Sequence, residues 1–177
     1  MNPRITSQNC PHLQFFGSSL HSAQKIAFFD RDGTLNHDEG YTFKKEDLRL
    51  LPQGTEVLRI AIKNGWTPVV ISNQSGISRG FYTLESAKAF NSELRQALLQ
   101  IDLRIDYFIF CIHDNFSNCD FRKPASGMLD LVFNSTQADL FVMFGNSISD
   151  SEAAAKAKMV YSDISKIESC TSILDSK

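Results

Sequence analysis

Apolar and polar positions fall in blocks along this chain. Short apolar runs recur at KIAFFD (25–30), TPVVIS (67–72), IDYFIFCI (105–112), DLFVMF (139–144) and MVYS (159–162). Runs of this length, rich in β-branched and aromatic residues, read as strands buried on both faces. Between them the period lengthens. Residues 53–64 put Val57, Leu58, Ala61 and Ile62 at helical spacing, and Gly65 follows as a stop. Helical patterns recur over 84–99, 126–136 and 150–158, and LRLLP (48–52) reads as a short extended piece. Strands alternating with helices predict an α/β fold of three layers. Its sheet should be mostly parallel, covered by helices on both faces and joined by right-handed crossovers. Residues 1–24 are weakly periodic and read as an N-terminal extension, leaving 25–177 as one domain.

Composition narrows the classes. Of 177 residues, 42% are hydrophobic and 21% charged, enough for a full core. A net charge of -2 provides no electrostatic footprint for nucleic acid or an anionic membrane. The chain has no apolar run of about 18 residues, and the first 24 lack the apolar stretch of a signal peptide. Cys10, Cys111, Cys119 and Cys170 form no dense framework. The expectation is a cytoplasmic, reduced, monomeric protein.

The first strand ends in FFDRDGTLN, where Asp30 and Asp32 flank one residue and Gly33 permits a tight turn. Carboxylates this close repel unless a cation or proton intervenes. The pair either caps backbone groups at a strand end or gathers a magnesium ion and a phosphate. In the second case Asp30 could attack phosphorus and Asp32 could move the proton. SNQSGISRG (72–80) by itself is a polar turn with glycines, although Ser72 and the following N–H groups could also nest an anion. DEGY (38–41) reads as a solvated loop, and Arg122 with Lys123 as surface charge.

Taken together, these strings resemble the haloacid dehalogenase (HAD)-like phosphatases. DRDGTLN resembles their motif I, and SNQSGISRG is similar to motif II of the D,D-heptose 1,7-bisphosphate phosphatases and, in part, of the histidinol-phosphate phosphatases. Polynucleotide 3′-phosphatases share a related string, but no basic strip runs along this chain. Lys123 in FRKPASGML matches the motif III lysine, and DEGY lies where the heptose enzymes carry a substrate loop. The resemblance implies a HAD fold without a large cap and a reaction through a phosphoaspartate. Asp30 would be the nucleophile and Asp32 the acid/base, with Ser72 and Lys123 holding the phosphoryl group. It further implies a small phosphorylated sugar bound by Asp38, Gly40, Tyr41, Asn73, Gln74, Ser75, Arg79, Arg122 and Ser147, with no nucleic-acid or membrane partner.

Three positions depart from the family pattern. Motif IV is G-D-x-x-x-D with its first acid on magnesium, whereas here Gly145 is followed by Asn146, and only Asp150 keeps its carboxylate. Ser147 stands where the heptose enzymes usually carry lysine. Magnesium would then rest on Asp30, Asp32, Asn146 and Asp150, one charge short. The chain is accordingly a working enzyme with weaker metal affinity, a phosphosugar-binding module, or a phosphatase for another monoester. The relatives also hold structural zinc on C-x-H and C-x-C pairs. Cys111, His113 and Cys119 match three of those ligands, but Phe121 takes the fourth place and cannot ligate. Water, Asp120, Cys10 or His12 are the remaining candidates.

Overall fold

The structure, a computed structural model, describes residues 10–17 and 19–175. Six strands form one sheet: β1 (His12–Phe15), β2 (Lys25–Phe29), β3 (Thr67–Asn73), β4 (Tyr107–Cys111), β5 (Leu140–Gly145) and β6 (Val160–Asp163). Their order is β1-β4-β3-β2-β5-β6. All neighbours pair parallel except β1, which runs antiparallel along β4 with His12 opposite Phe110 and Phe15 opposite Tyr107.

Five helices cover the sheet: α1 (Pro52–Lys63), α2 (Leu84–Leu99), α3 (Gly127–Phe133), α4 (Ile148–Lys156) and α5 (Ile167–Asp175). Strand alternation sorts the core. Ala27, Phe29, Val70, Phe108 and Phe144 face one layer, against Val57 and Ala61 of α1, Leu94 of α2 and Leu174 of α5. Ile26, Phe28, Ile71, Ile109 and Met143 face the other, against Leu129 of α3 and Ala153 of α4. The expected three-layer, mostly parallel fold is therefore present, and the connections at residues 30–51 and 74–83 carry no cap domain. Among the described residues, no helix is long and apolar enough to cross a membrane.

Helix starts follow local chemistry. Pro52 opens α1, where its missing N–H costs nothing. Thr83 caps α2 by accepting from the Ser86 N–H. Ser147 and Asp150 form a reciprocal capping box on α4. Two elements were not foreseen. HLQF in the expected extension is strand β1, and IESCTSILD after the expected last strand is helix α5.

Candidate active site

Parallel strands place their C-terminal ends, and the loops that leave them, on one edge of the sheet. A cavity of about 330 Å³ opens there. Asp30 leaves β2 with its N–H donating to the Phe144 carbonyl at 2.9 Å, so the ladder fixes it one residue beyond the strand. The next turn closes through the Arg31 carbonyl, which accepts from Leu35 N–H at 2.9 Å and Asn36 N–H at 3.1 Å. Gly33 sits in this turn at φ +75, and a Cβ there would collide with the Asn146 side chain. Asn146 thus packs directly on the aspartate turn.

Lys123 arrives from the loop after β4. Its backbone is pinned by Asn73, whose side chain accepts from the Lys123 N–H at 3.0 Å and donates to its carbonyl at 2.8 Å. The ammonium is 3% exposed and donates to Asp30 Oδ1 at 2.7 Å, Asp150 Oδ1 at 2.6 Å and the Ile71 carbonyl at 3.1 Å. All three of its donors are used. Asp150 is fully buried, and its Oδ2 accepts from Ser147 N, Asn146 N and Ser147 Oγ. Burial pushes the Asp30 carboxyl up to about 7, opposed by Lys123 and reinforced by Asp150 and Asp32. Burial pulls Lys123 down, but its two carboxylates outweigh that, and the net shift is upward.

Asp32 is held from three sides. Gln74 Nε2 donates to its Oδ2 at 2.7 Å, Asn36 Nδ2 to its Oδ1 at 3.0 Å, and Arg31 Nε to both oxygens at 3.0 and 3.1 Å. Arg31 is 1% exposed and is the hub of this network. It also donates to Asn91 Oδ1, the Thr42 carbonyl and Gln74 Oε1, and its guanidinium lies 4.7 Å from the Phe90 ring centroid. Gln74 passes the order on, donating to Ser72 Oγ and accepting from the Tyr82 hydroxyl, each at 2.7 Å.

The cavity brings together most of the residues singled out by sequence. Asp30, Asp32, Ser72 and Lys123 line it, with Asn73, Gln74 and Ser75 after β3 and Asn146 and Ser147 after β5. Asp38, Gly40 and Tyr41 close one side. There the Asp38 carboxylate accepts from the Gly40 N–H and orders the turn. Arg79 stands outside the lining, bonded to Asn115 at 3.3 Å with its guanidinium near the Tyr41 ring. Arg122 donates to the His113 carbonyl at 2.9 Å and lines an adjoining cleft of about 350 Å³ with Lys156 and Asp114. Asp150 does not line the cavity. Its two oxygens accept from Lys123 and from the α4 cap, so it holds the lysine in place.

Sequence reasoning missed Arg31, Tyr82 and Ser149. Only the position of Arg31 between two aspartates signalled the first; its partners lie far along the chain.

Beside the site, Cys10, Cys111, His113 and Cys119 converge, with their ligand atoms all within 4.8 Å of one another. All three thiols are free. They share protons unevenly. Hydrogen bonding to Cys111 chiefly raises Cys10, and the same contact lowers Cys111 to about 6. Phe121 is not a ligand type, and it packs against the same apolar cluster that includes Cys111, Cys119 and Leu129 of α3.

A buried lysine between two carboxylates, beside a second aspartate at the C-terminal edge of a parallel sheet, defines a phosphoryl-handling site of the HAD type. Comparison with known proteins agrees. The profile of the family described as polynucleotide kinase 3 phosphatase matches residues 25–170. The D-glycero-beta-D-manno-heptose-1,7-bisphosphate 7-phosphatase of Pseudomonas putida is 34% identical over 133 residues, spanning 73% of this chain and 76% of that protein. Its counterpart from Helicobacter pylori is 34% identical over 141 residues, spanning 78% and 82%. A crystal structure of D,D-heptose 1,7-bisphosphate phosphatase from B. bronchiseptica, complexed with magnesium and phosphate, superposes with a TM-score of 0.70 at 30% identity. That match covers 78% of this chain and 79% of that one. The chain belongs to the HAD-like phosphatases, in the family that this profile describes.

Proposed function

We propose that this chain hydrolyses a phosphomonoester of a small sugar, D-glycero-D-manno-heptose 1,7-bisphosphate, through a phosphoaspartate. The observation that carries the reading is the Asp30–Lys123–Asp150 line beside Asp32 in the cavity. Asp30 Oδ1 is engaged by Lys123, and the other oxygen attacks phosphorus. The bond from phosphorus to the sugar oxygen breaks, and Asp32 gives that oxygen a proton. Asp32 then takes a proton from water, which attacks the phosphoaspartate and releases inorganic phosphate with Asp30 restored. Ser72 and Lys123 bind the transferred oxygens. In this reading Arg122, which lines the adjoining cleft, binds a second phosphate.

Asp30, Asp32 and Asn146 offer hard oxygens on one wall of the cavity, a donor set that fits magnesium. When bound, magnesium offsets charge on the transferring phosphoryl group. Zinc at Cys111, His113 and Cys119 belongs to the same reading, as a structural ion. Relatives named for heptose bisphosphate and the net charge of -2 favour a small substrate over a polynucleotide end.

The test is phosphate release from heptose 1,7-bisphosphate and from histidinol phosphate during a magnesium titration. Heptose bisphosphate is expected to be the better substrate. Asp30→Asn should lose at least about 10⁴-fold in kcat, the scale of removing a covalent nucleophile. Turnover that survives in Asp30→Asn would remove the phosphoaspartate from the mechanism, and a preference for histidinol phosphate would reassign the substrate.

A further inference from the structure

We propose that Cys10 is the fourth ligand of the zinc site, replacing the loop position that Phe121 occupies without ligating. The inference rests on the zinc reading above and concerns which residue completes the site. Zn–S bonds of about 2.3 Å in a tetrahedron place sulfurs about 3.8 Å apart. Cys111 Sγ and Cys119 Sγ are 3.7 Å apart, and Cys111 Sγ and His113 Nδ1 are 3.8 Å apart. A disulfide would need about 2.05 Å. The donors are soft, with no carboxylate among them, which selects zinc over magnesium. His113 is 2% exposed, its Nε2 has no hydrogen-bond partner, and the side-chain contact of its Nδ1 is the Cys111 sulfur. Nδ1 is thus the nitrogen that faces the thiols, and a metal there would replace a weak contact to sulfur with a ligand bond.

Strand direction explains how a residue so far from Cys111 in sequence reaches it. β1 runs antiparallel to β4, with His12 opposite Phe110, so the chain just before β1 lies at the end of β4 where Cys111 sits. A parallel edge strand would carry Cys10 to the opposite edge of the sheet. Phe121 has meanwhile become a packing residue. Its ring lies against Gly127 at the start of α3, where a Cβ would meet the ring and the Asp120 carbonyl. The metal would therefore join three pieces of chain: the segment before β1, the end of β4, and the loop leading to Lys123. The Cys119 carbonyl already accepts from Arg122 N–H at 3.0 Å, one residue before the catalytic lysine.

The experiment uses the whole chain as wild type, Cys10→Ser and Cys10→Ser/Phe121→Cys. Zinc affinity is measured by chelator competition and thiolate count by the charge-transfer absorption of the cobalt(II) form. Wild type should bind one metal with a three-thiolate tetrahedral spectrum. Cys10→Ser should show two thiolates and at least about 100-fold weaker zinc binding, since even residues behind the ligands are worth 10–100-fold. Adding Phe121→Cys should restore the third thiolate. A reading that needs no variant is alkylation of wild type, in which zinc should protect Cys10 and chelation should expose it. Zinc binding with Cys10 alkylated at an unchanged rate, or a Cys10→Ser spectrum identical to wild type, overturns the assignment of Cys10 alone. A wild type that binds no zinc overturns the zinc reading as well. Neither readout depends on turnover, so failure of the phosphatase reaction is a separate result.

Discussion

Asn146 is the residue on which this site turns. It lines the cavity and packs against Gly33, where the family pattern has an aspartate. Asp150 is already engaged by Lys123 and by three donors of the α4 cap. An aspartate at 146 matches asparagine in size and adds the missing charge. Asn146→Asp should therefore tighten magnesium about tenfold, near 1.4 kcal/mol, with a matching rise in turnover at low magnesium. Metal-dependent phosphate release and calorimetric magnesium titration would measure both. Unchanged affinity would mean that the residue does not touch the ion. An inert wild type with an active variant would make this chain a binder of phosphosugars. Asp30, Asp32 and Ser72 could be singled out from sequence because they sit in contiguous strings at strand ends, and Lys123 because its own string, FRKPASGML, is contiguous. Arg31 could not, because its burial depends on Thr42, Gln74, Phe90 and Asn91, which only the fold brings together.

Among the elements, α1 holds the aspartate turn from below. Gly54 meets the Thr34 carbonyl so closely that a Cβ would strike it. Helix propensity alone says that alanine in place of this glycine should stabilise by about 0.5–1 kcal/mol. The collision, against backbone that cannot swing aside, costs about 1–3 kcal/mol and decides the sign. Gly54→Ala should therefore lower Tm by several degrees in thermal unfolding, whereas a rise would show that α1 can slide away from the turn. The elements found by sequence were those with long or strongly apolar patterns, such as β3 and α2. β1 has four residues with two side chains in solvent, Leu13 and Phe15, and gains its order from pairing with β4. α5 gains its order from Cys170 and Leu174 packing in the α1–α2 layer and from Trp66 Nε1 donating to the Leu174 carbonyl at 3.4 Å. Neither partnership is visible in a local window.

At the scale of the whole molecule, the chain before β2 is wired to the chemistry by two routes. One is the cysteine cluster. The other runs by hydrogen bonds from Asn91 Nδ2 to Gln14 and from Arg31 to both Asn91 and Asp32. Global stability should also report the site. The Asp30 carboxyl is raised from 3.8 to about 7, so the metal-free fold holds that proton more tightly than the unfolded chain does. Its contribution is thus fully present below pH 3.8 and is lost as pH rises through 7. Magnesium needs the ionised form, so its binding moves the opposite way. At fixed magnesium, the rise in Tm should be small at pH 6 and grow toward pH 8, as binding to the native state strengthens. Calorimetric melts with and without the ion would show this, and a magnesium increment independent of pH would remove Asp30 from the ligand set.

The antiparallel strand also bears on how these molecules behave in a crowd. β4 is YFIFC, without Asp, Glu, Lys or Arg side chains, free of proline and high in β-propensity, the composition that adds readily to foreign strands when its edge is bare. His12–Phe15 occupies that edge. Fraying of four residues would thus bare a template for self-association, and the cluster at Cys10 is the pin nearest the fray.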